Sequence, residues 1–290
     1  MDYKYNELEY AKEVFENGFQ SQQHLPTELR LVATYMRRIL DYKPKKLKEE
    51  FYKWCETHID GYNRVLYYKT INSAINKATK KGSCLVTIKP VIIYKPEIHY
   101  IMNSIIVDDD GCEYEYAYEC KKLMFTFLVR SKLNRQMFDQ RNVDEDKTYK
   151  GTSFSGGQKK YTELKKMAKL PQKLKINEDI IHYLYISKLV DPLNSGILRL
   201  NFLEEIYQTV ECDNDCEVEI EDFDRIGWYF DFYNGDDKIK KCESCGCLRK
   251  IKSKYDGSSK YCDVCAKEKE REMTKERVKK YRELNNVTEA

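Results

Sequence analysis

The sequence predicts a mainly α-helical protein with small β elements, ending in a four-cysteine treble-clef zinc finger followed by a basic helix. Three observations carry this. Apolar residues recur at three-to-four spacing over most of the chain before residue 190. Short β-branched or alternating runs occur only where glycine or proline interrupts those stretches. Near the C-terminus, Cys242-x-x-Cys245 and Cys262-x-x-Cys265 are separated by sixteen residues, inside the spacing of zinc sites built from two such pairs.

Taken in order, residues 7–19, 27–41, 45–58 and 63–80 read as helices. In the second, Leu29, Val32, Ala33, Met36, Ile39 and Leu40 share one face. Lys43-Pro44 separates it from the third, because proline disfavours helix at the residue before it. The third carries a stripe of Leu47, Phe51, Trp54 and Cys55. The fourth carries Val65, Tyr68, Ile71, Ile75 and Ala78, and stops at Lys81-Gly82. Cys84 to Ile93 is β-branched and short, which predicts a strand, and Pro96 begins a short helix through about Ile105. Asp108-Asp109-Asp110-Gly111 reads as a solvated turn, since the glutamate that closes a calcium loop is missing. Residues 117–139 form the most apolar helix, with Leu123, Phe127 and Leu128 inside.

A polar stretch, 140–160, reads as a loop. Residues 161–170 and 177–190 read as helices, Ile197 to Phe202 as a strand, and Val218 to Tyr233 as a second β run. Helices followed by a hairpin suggest a winged-helix-like middle domain, with 177–190 as the groove-facing helix. Glu178 and Asp179 at its start are poor recognition residues. The expected domains are 1–105, helical; 106–210, helical and winged-helix-like; 211–237, an acidic aromatic segment; and 238–290, the finger and its helix.

Composition bounds the function. The 290 residues suffice for about two domains. With 41% apolar and 34% charged residues the chain can bury a core, which excludes a disordered class. The longest apolar stretch, around Leu123 to Val129, is about a third of the roughly 20 residues a membrane helix needs. The opening Met-Asp-Tyr-Lys argues against a targeting segment. Eleven cysteines, four of them in a metal pattern, suit a reducing cytoplasm. The expectation is a protein of the bacterial cytoplasm with no membrane partner.

Four thiolates satisfy one tetrahedral zinc and leave no open position for water, so Cys242, Cys245, Cys262 and Cys265 predict a single structural zinc ion. Gly246 permits the tight turn after the first pair, and Asp256-Gly257 signals a hairpin between the pairs. Cys247 lies two residues after Cys245 and reads as a spare thiol. Charge is uneven: residues 211–237 carry eleven acidic groups against Arg225 alone, whereas 238–283 carry sixteen basic against eight acidic. Arg249, Lys250, Lys252 and Lys254 of the hairpin, with Lys267, Arg271, Lys275, Arg277, Lys279, Lys280 and Arg282 of the helix, form a candidate phosphate-binding face. Lys269 lies on the same helix. Trp228, Tyr229, Phe230 and Phe232, set among Asp and Glu, are candidates for contact with a partner protein.

Lys241-Cys242-x-x-Cys245-Gly246 and Lys260-Tyr261-Cys262-x-x-Cys265-Ala266, followed by a charged helix, resemble the zinc-finger ends of uncharacterised proteins from phages and mobile elements of low-GC Gram-positive bacteria. The resemblance covers about fifty residues and implies a setting, with no activity attached. Catalytic patterns are absent. No histidine lies beside the finger, as His-Asn-His nucleases require, and no His-x-Glu accompanies the cysteines, as zinc deaminases require. Ser155-Gly156-Gly157-Gln158 lacks any companion phosphate loop. The expectation is therefore a non-catalytic, zinc-dependent protein that binds nucleic acid, DNA before RNA, as an accessory or regulatory factor. The alternative is an effector that binds a host or defence protein through the acidic segment.

Overall fold

A computed structural model describes residues 5–20, 24–141, 149–193, 196–209, 216–251 and 260–287. The chain divides into two compact units, one of residues 1–90 with 131–151, the other of 91–130 with 152–290. These divisions differ from the expected boundaries at 105, 210 and 237. One division falls within a single long helix, between residues 130 and 131.

The first unit holds α1 (Glu7–Asn17), α2 (Leu25–Arg38), α3 (Pro44–His58) and α4 (Arg64–Thr79). All four helices lie within a few residues of the expected ranges, but Ile39 of the second stripe falls past the end of α2 and is 51% exposed. Helix α2 is the hub: Leu29, Val32, Ala33 and Met36 are buried among Ala11 and Val14 of α1, Phe51 and Trp54 of α3, and Ile71, Ile75 and Ala78 of α4. Trp54 stacks on Phe51 and Phe15, and its indole N–H donates to the Phe15 carbonyl at 3.0 Å. Two carboxylates are buried here, and both are satisfied. Glu28 accepts from the Tyr10 hydroxyl at 2.6 Å and the Gln20 amide at 3.1 Å. Glu7 accepts from Arg30 at 2.7 Å and the Val86 amide at 2.9 Å. In α4 the expected stripe holds only from Ile71 onward; Val65 is 83% exposed and Tyr68 54%. Its first turn is fixed instead by the Asn63 side chain, which accepts from the Val65 and Leu66 amides.

The strand expected over 84–93 forms only at its end. Its first half makes one isolated bridge, Asn6 to Thr87. The backbone of Thr87 and Lys89 bonds instead to side-chain amides: Gln140 accepts from the Thr87 amide at 2.9 Å and donates to its carbonyl at 2.7 Å, and Gln136 does the same for Lys89 at 2.9 and 3.1 Å. Two glutamines a helical turn apart thus stand in for a neighbouring strand.

In the second unit, β1 (Val91–Tyr94) leads into α5 (Lys95–Asn103), and α6 (Ala117–Arg141) contributes Leu123, Phe125, Phe127 and Leu128 to the core. There follow β2 (Ser153–Ser155), α7 (Gln158–Met167), a π-helical turn (Ile176–Ile181) running into α8 (His182–Ile186), β3 (Asp191–Leu193) and β4 (Ile197–Arg199). Strands β2, β4 and β3 form an antiparallel sheet in that order. The polar stretch 140–160 therefore contains a strand and the start of a helix. The helix expected over 177–190 ends at Ile186, where Lys188 turns the chain with φ 60°. Beyond β4 come α9 (Asn201–Thr209) and β5 (Cys216–Ile220), which pairs antiparallel with β1.

The β run expected through Tyr233 stops at Ile220. A 3-10 turn (Phe223–Arg225), capped by Asp222, enters α10 (Ile226–Tyr233). Burial at Ile226, Gly227, Phe230 and Asp231 follows a helical period, which overrides the β propensity of the aromatics. Asp231 is 5% exposed, accepts from Lys122 at 2.5 Å and from the Tyr118 hydroxyl at 2.9 Å, and so ties α10 to α6. Gly227 lies against α7: a Cβ there would stand 1.9 Å from the Ala168 carbonyl oxygen. The chain ends in β6 (Ile239–Lys241), β7 (Leu248–Lys250) and α11 (Asp263–Val287). No described helix is long and apolar enough to cross a membrane.

Two substitutions test this packing in urea unfolding. Gly227→Ala is expected to destabilise the protein by about 3 kcal/mol or more, because backbone blocks the added methyl. Lys122→Met is expected to cost about 3–5 kcal/mol, since it strands a buried carboxylate.

Candidate metal centre

The finger is built around its cysteines. Cys242 follows β6, and its amide donates to the Cys247 carbonyl at 2.8 Å while Gly246 donates back to the Cys242 carbonyl at 2.9 Å. Gly246 takes φ 71°, a conformation costly for other residues, and this closes the loop between the first two thiols. Strand β7 pairs back across that loop to β6, with Ile239 opposite Lys250 and Lys241 opposite Leu248. The hairpin expected at Asp256-Gly257 lies outside the described residues. The second pair arrives at a helix start. Cys262 immediately precedes α11, its amide donates to the Cys242 sulfur at 3.3 Å, and Cys265 sits in the first turn.

The four sulfurs of Cys242, Cys245, Cys262 and Cys265 all lie within 4.8 Å of one another. Thiolates about 2.3 Å from a tetrahedral zinc stand about 3.8 Å apart, and Cys245 and Cys262 are 3.8 Å apart. The set therefore fits a single metal ion. Its electrostatics point the same way. Burial would raise the Cys242 thiol, but amides of Cys245, Cys262 and Ser244 bring it down to about 6. Cys262 is lowered too, against its burial, by the Cys265 amide and neighbouring thiols. Cys265 is pushed up to about 12 by its contacts with Cys245 and Cys262 and by burial. A divalent ion among the four sulfurs would favour the thiolate form of all of them.

Cys247 packs against this cluster without joining the set of four. Burial, and then the sulfurs of Cys245 and Cys262, push its thiol up to about 12. Beside it lies Arg225, whose guanidinium donates to the Leu248 carbonyl at 3.0 Å and pairs with Asp222 at 3.3 Å. Arg225 also covers Trp228, 5.3 Å from the ring centre, with Lys169 at 5.2 Å. The metal set is thereby braced against the 3-10 turn, α10 and the end of α7.

The candidate partner-contact aromatics divide. Phe230 is fully buried against Phe125 and Tyr118, Trp228 is taken up by the two cations, and Tyr229 and Phe232 line a surface cleft. The candidate phosphate-binding residues divide as well. Arg249 is half-buried and Lys250 exposed on β7. Lys252 and Lys254, and the side chain of Arg282, lie outside the described residues. Lys267, Arg271, Lys275, Arg277, Lys279 and Lys280 are all exposed on α11. Of these, Lys267, Arg271, Lys275 and Lys279 recur every fourth residue, a basic stripe about 18 Å long.

One cationic element escaped the sequence reading. Residues 158–175 hold seven lysines against Glu163 alone, a count that would have exposed it. Most are used by the fold: Lys160 donates to the Ser155 carbonyl at 2.7 Å, Lys165 to the Gln172 carbonyl at 2.9 Å, and Lys175 pairs with Glu178 at 2.6 Å. Lys159 and Lys166 remain exposed on α7 with no partner among the described residues. The Asp108 turn is a turn, its carboxylate accepting from the amides of Asp110 and Cys112.

No protein-family model, no curated protein and no solved structure matches this chain. The site therefore rests on its own residues.

Metal analysis of the purified protein is expected to give one ion per chain. Cys265→Ser is expected to lose it, and Cys247→Ser to keep it.

Proposed function

We propose that the chain is a zinc-dependent nucleic-acid-binding protein, in which the metal centre holds the start of α11 and presents its basic stripe to phosphates. One observation carries this reading. Two of the four cluster thiols lie at the N-terminus of a helix that is exposed from Glu270 to Tyr281 and basic along one flank. A helix held at one end and left uncovered for several turns is arranged for a partner, and its charge suits phosphodiesters. Zinc is the metal that four tetrahedral thiolates favour, and with all positions taken its role is structural. Two candidate ligands in a turn and two at a helix start are the order expected of a treble clef, and this supports that reading.

Further support comes from the second unit. Its order of helix, strand, helix, helix and two strands, with the first strand paired to the last, is compatible with a winged-helix-like arrangement, which would favour duplex DNA over RNA. The acidic π-helical turn is a weak reader of bases. Backbone contacts from α11 are therefore expected to dominate, with little sequence preference. The resemblance to phage and mobile-element finger proteins suggests an accessory or regulatory role in such an element, inside a bacterial host.

The test is fluorescence anisotropy with a labelled duplex of arbitrary sequence across a range of salt. Log affinity is expected to fall linearly with log salt, by about 0.9 per phosphate neutralised. Replacing Lys267, Arg271 and Lys275 together with glutamine should lower that slope by about two to three. A zinc-loaded chain with no salt-dependent affinity for DNA or RNA would sink the reading.

A further inference from the structure

The second unit carries a surface unrelated to the basic helix and opposite to it in charge. A cleft of about 520 Å³ runs between β5, α10 and the finger. Its polar wall is Glu217, Glu219 and Glu221, and its aromatic floor is Tyr229, Phe232 and Tyr233. The glutamates are exposed, and none has an ion-pair partner among the described residues. Strand β5, which bears two of them, pairs with β1 on one edge and with no strand on the other among the described residues. The floor already holds one cation: Lys241 of the finger lies 5.6 Å from the centre of the Phe232 ring.

From the strand edge, the carboxylates that lack an ion-pair partner among the described residues (Glu217 accepting from the Tyr233 hydroxyl) and the aromatic floor together, we propose that this cleft docks an extended lysine- or arginine-bearing segment of a partner protein, added as a strand along β5. An open strand supplies main-chain donors and acceptors that any extended peptide can pair with. Side-chain chemistry then sets the choice. Alternate residues of the added strand face the cleft, where carboxylates attract ammonium or guanidinium groups and aromatic faces accept their apolar stems. An acidic segment, or a nucleic acid, would meet three negative charges at the rim. Acidic residues on an edge strand also discourage unspecific pairing between copies, which leaves a basic segment as the occupant that overcomes them. The surface is independent of the nucleic-acid reading, and each can fail without the other.

The experiment uses the full, zinc-loaded chain and a fluorescein-labelled ten-residue peptide of alternating lysine and valine. Saturable binding is expected, accompanied by slower amide exchange across Glu217–Ile220 in the unaltered protein. The triple variant E217Q/E219Q/E221Q should weaken binding about tenfold, the sum expected of three exposed ion pairs. The same peptide N-methylated at every residue, which cannot donate to a strand ladder from either edge, should bind more weakly still. Three results would overturn the proposal. One is equal binding of a glutamate–valine peptide. Another is undiminished binding of the N-methylated peptide. The third is self-association of the chain that buries β5 and excludes the peptide, which would make a second copy the occupant.

Discussion

Four sulfurs within 4.8 Å of one another are stable as thiolates only around a cation. Among the described residues, the finger's buried side chains are few: Cys242, Cys262 and Cys265 with Ile239 and Leu248 beside them. A patch of that size does not offset the ordering entropy of a loop, two three-residue strands and a helix start. A metal ion held by the four sulfurs would take the place of a core. Because two ligands sit at the start of α11, the same bonds that fold the loop also fix the direction in which the basic helix leaves it.

The acidic segment before the finger looked from its charge like a free surface. Much of it is internal joinery. Asp231 answers Lys122, Asp222 caps a turn and pairs with Arg225, and Trp228 lies beneath two cations. The charge switch at residue 238 thus has a structural half and an exposed half. Among the described residues, Glu217, Glu219 and Glu221 face solvent beside aromatic neighbours in a cleft. Arg225, the one cation of the segment, spans the two halves by bonding to the backbone of β7.

Legibility followed the physics of each element. The first four helices and the cysteine set were readable because apolar period and ligand spacing are local signals. Residues 84–90 misled because their β-branched character was real while their hydrogen-bond partners were glutamine side chains some fifty residues away. Residues 226–233 misled because a run of aromatics is equally at home in a strand. Burial against α6 and α7, a long-range fact, decided for helix. The lysines of α7 were visible in the sequence, and two of the four, Lys160 and Lys165, bond to backbone carbonyls nearby. The acidic charge and two of the floor aromatics were legible in the sequence, but the strand edge beside them was not, because it depends on which neighbour β5 lacks among the described residues.

The discontinuity of the first unit bears on how the protein is made. Its residues 1–90 leave the ribosome well before residues 131–151, which complete it. At about 5–20 residues per second, roughly 3–12 seconds of translation separate the two segments. During that interval four helices can collapse around α2, but the Thr87 and Lys89 backbones still await Gln140 and Gln136. The nascent chain is then a helical bundle with an unfinished margin. Its completion is timed by synthesis of α6, the helix both units share.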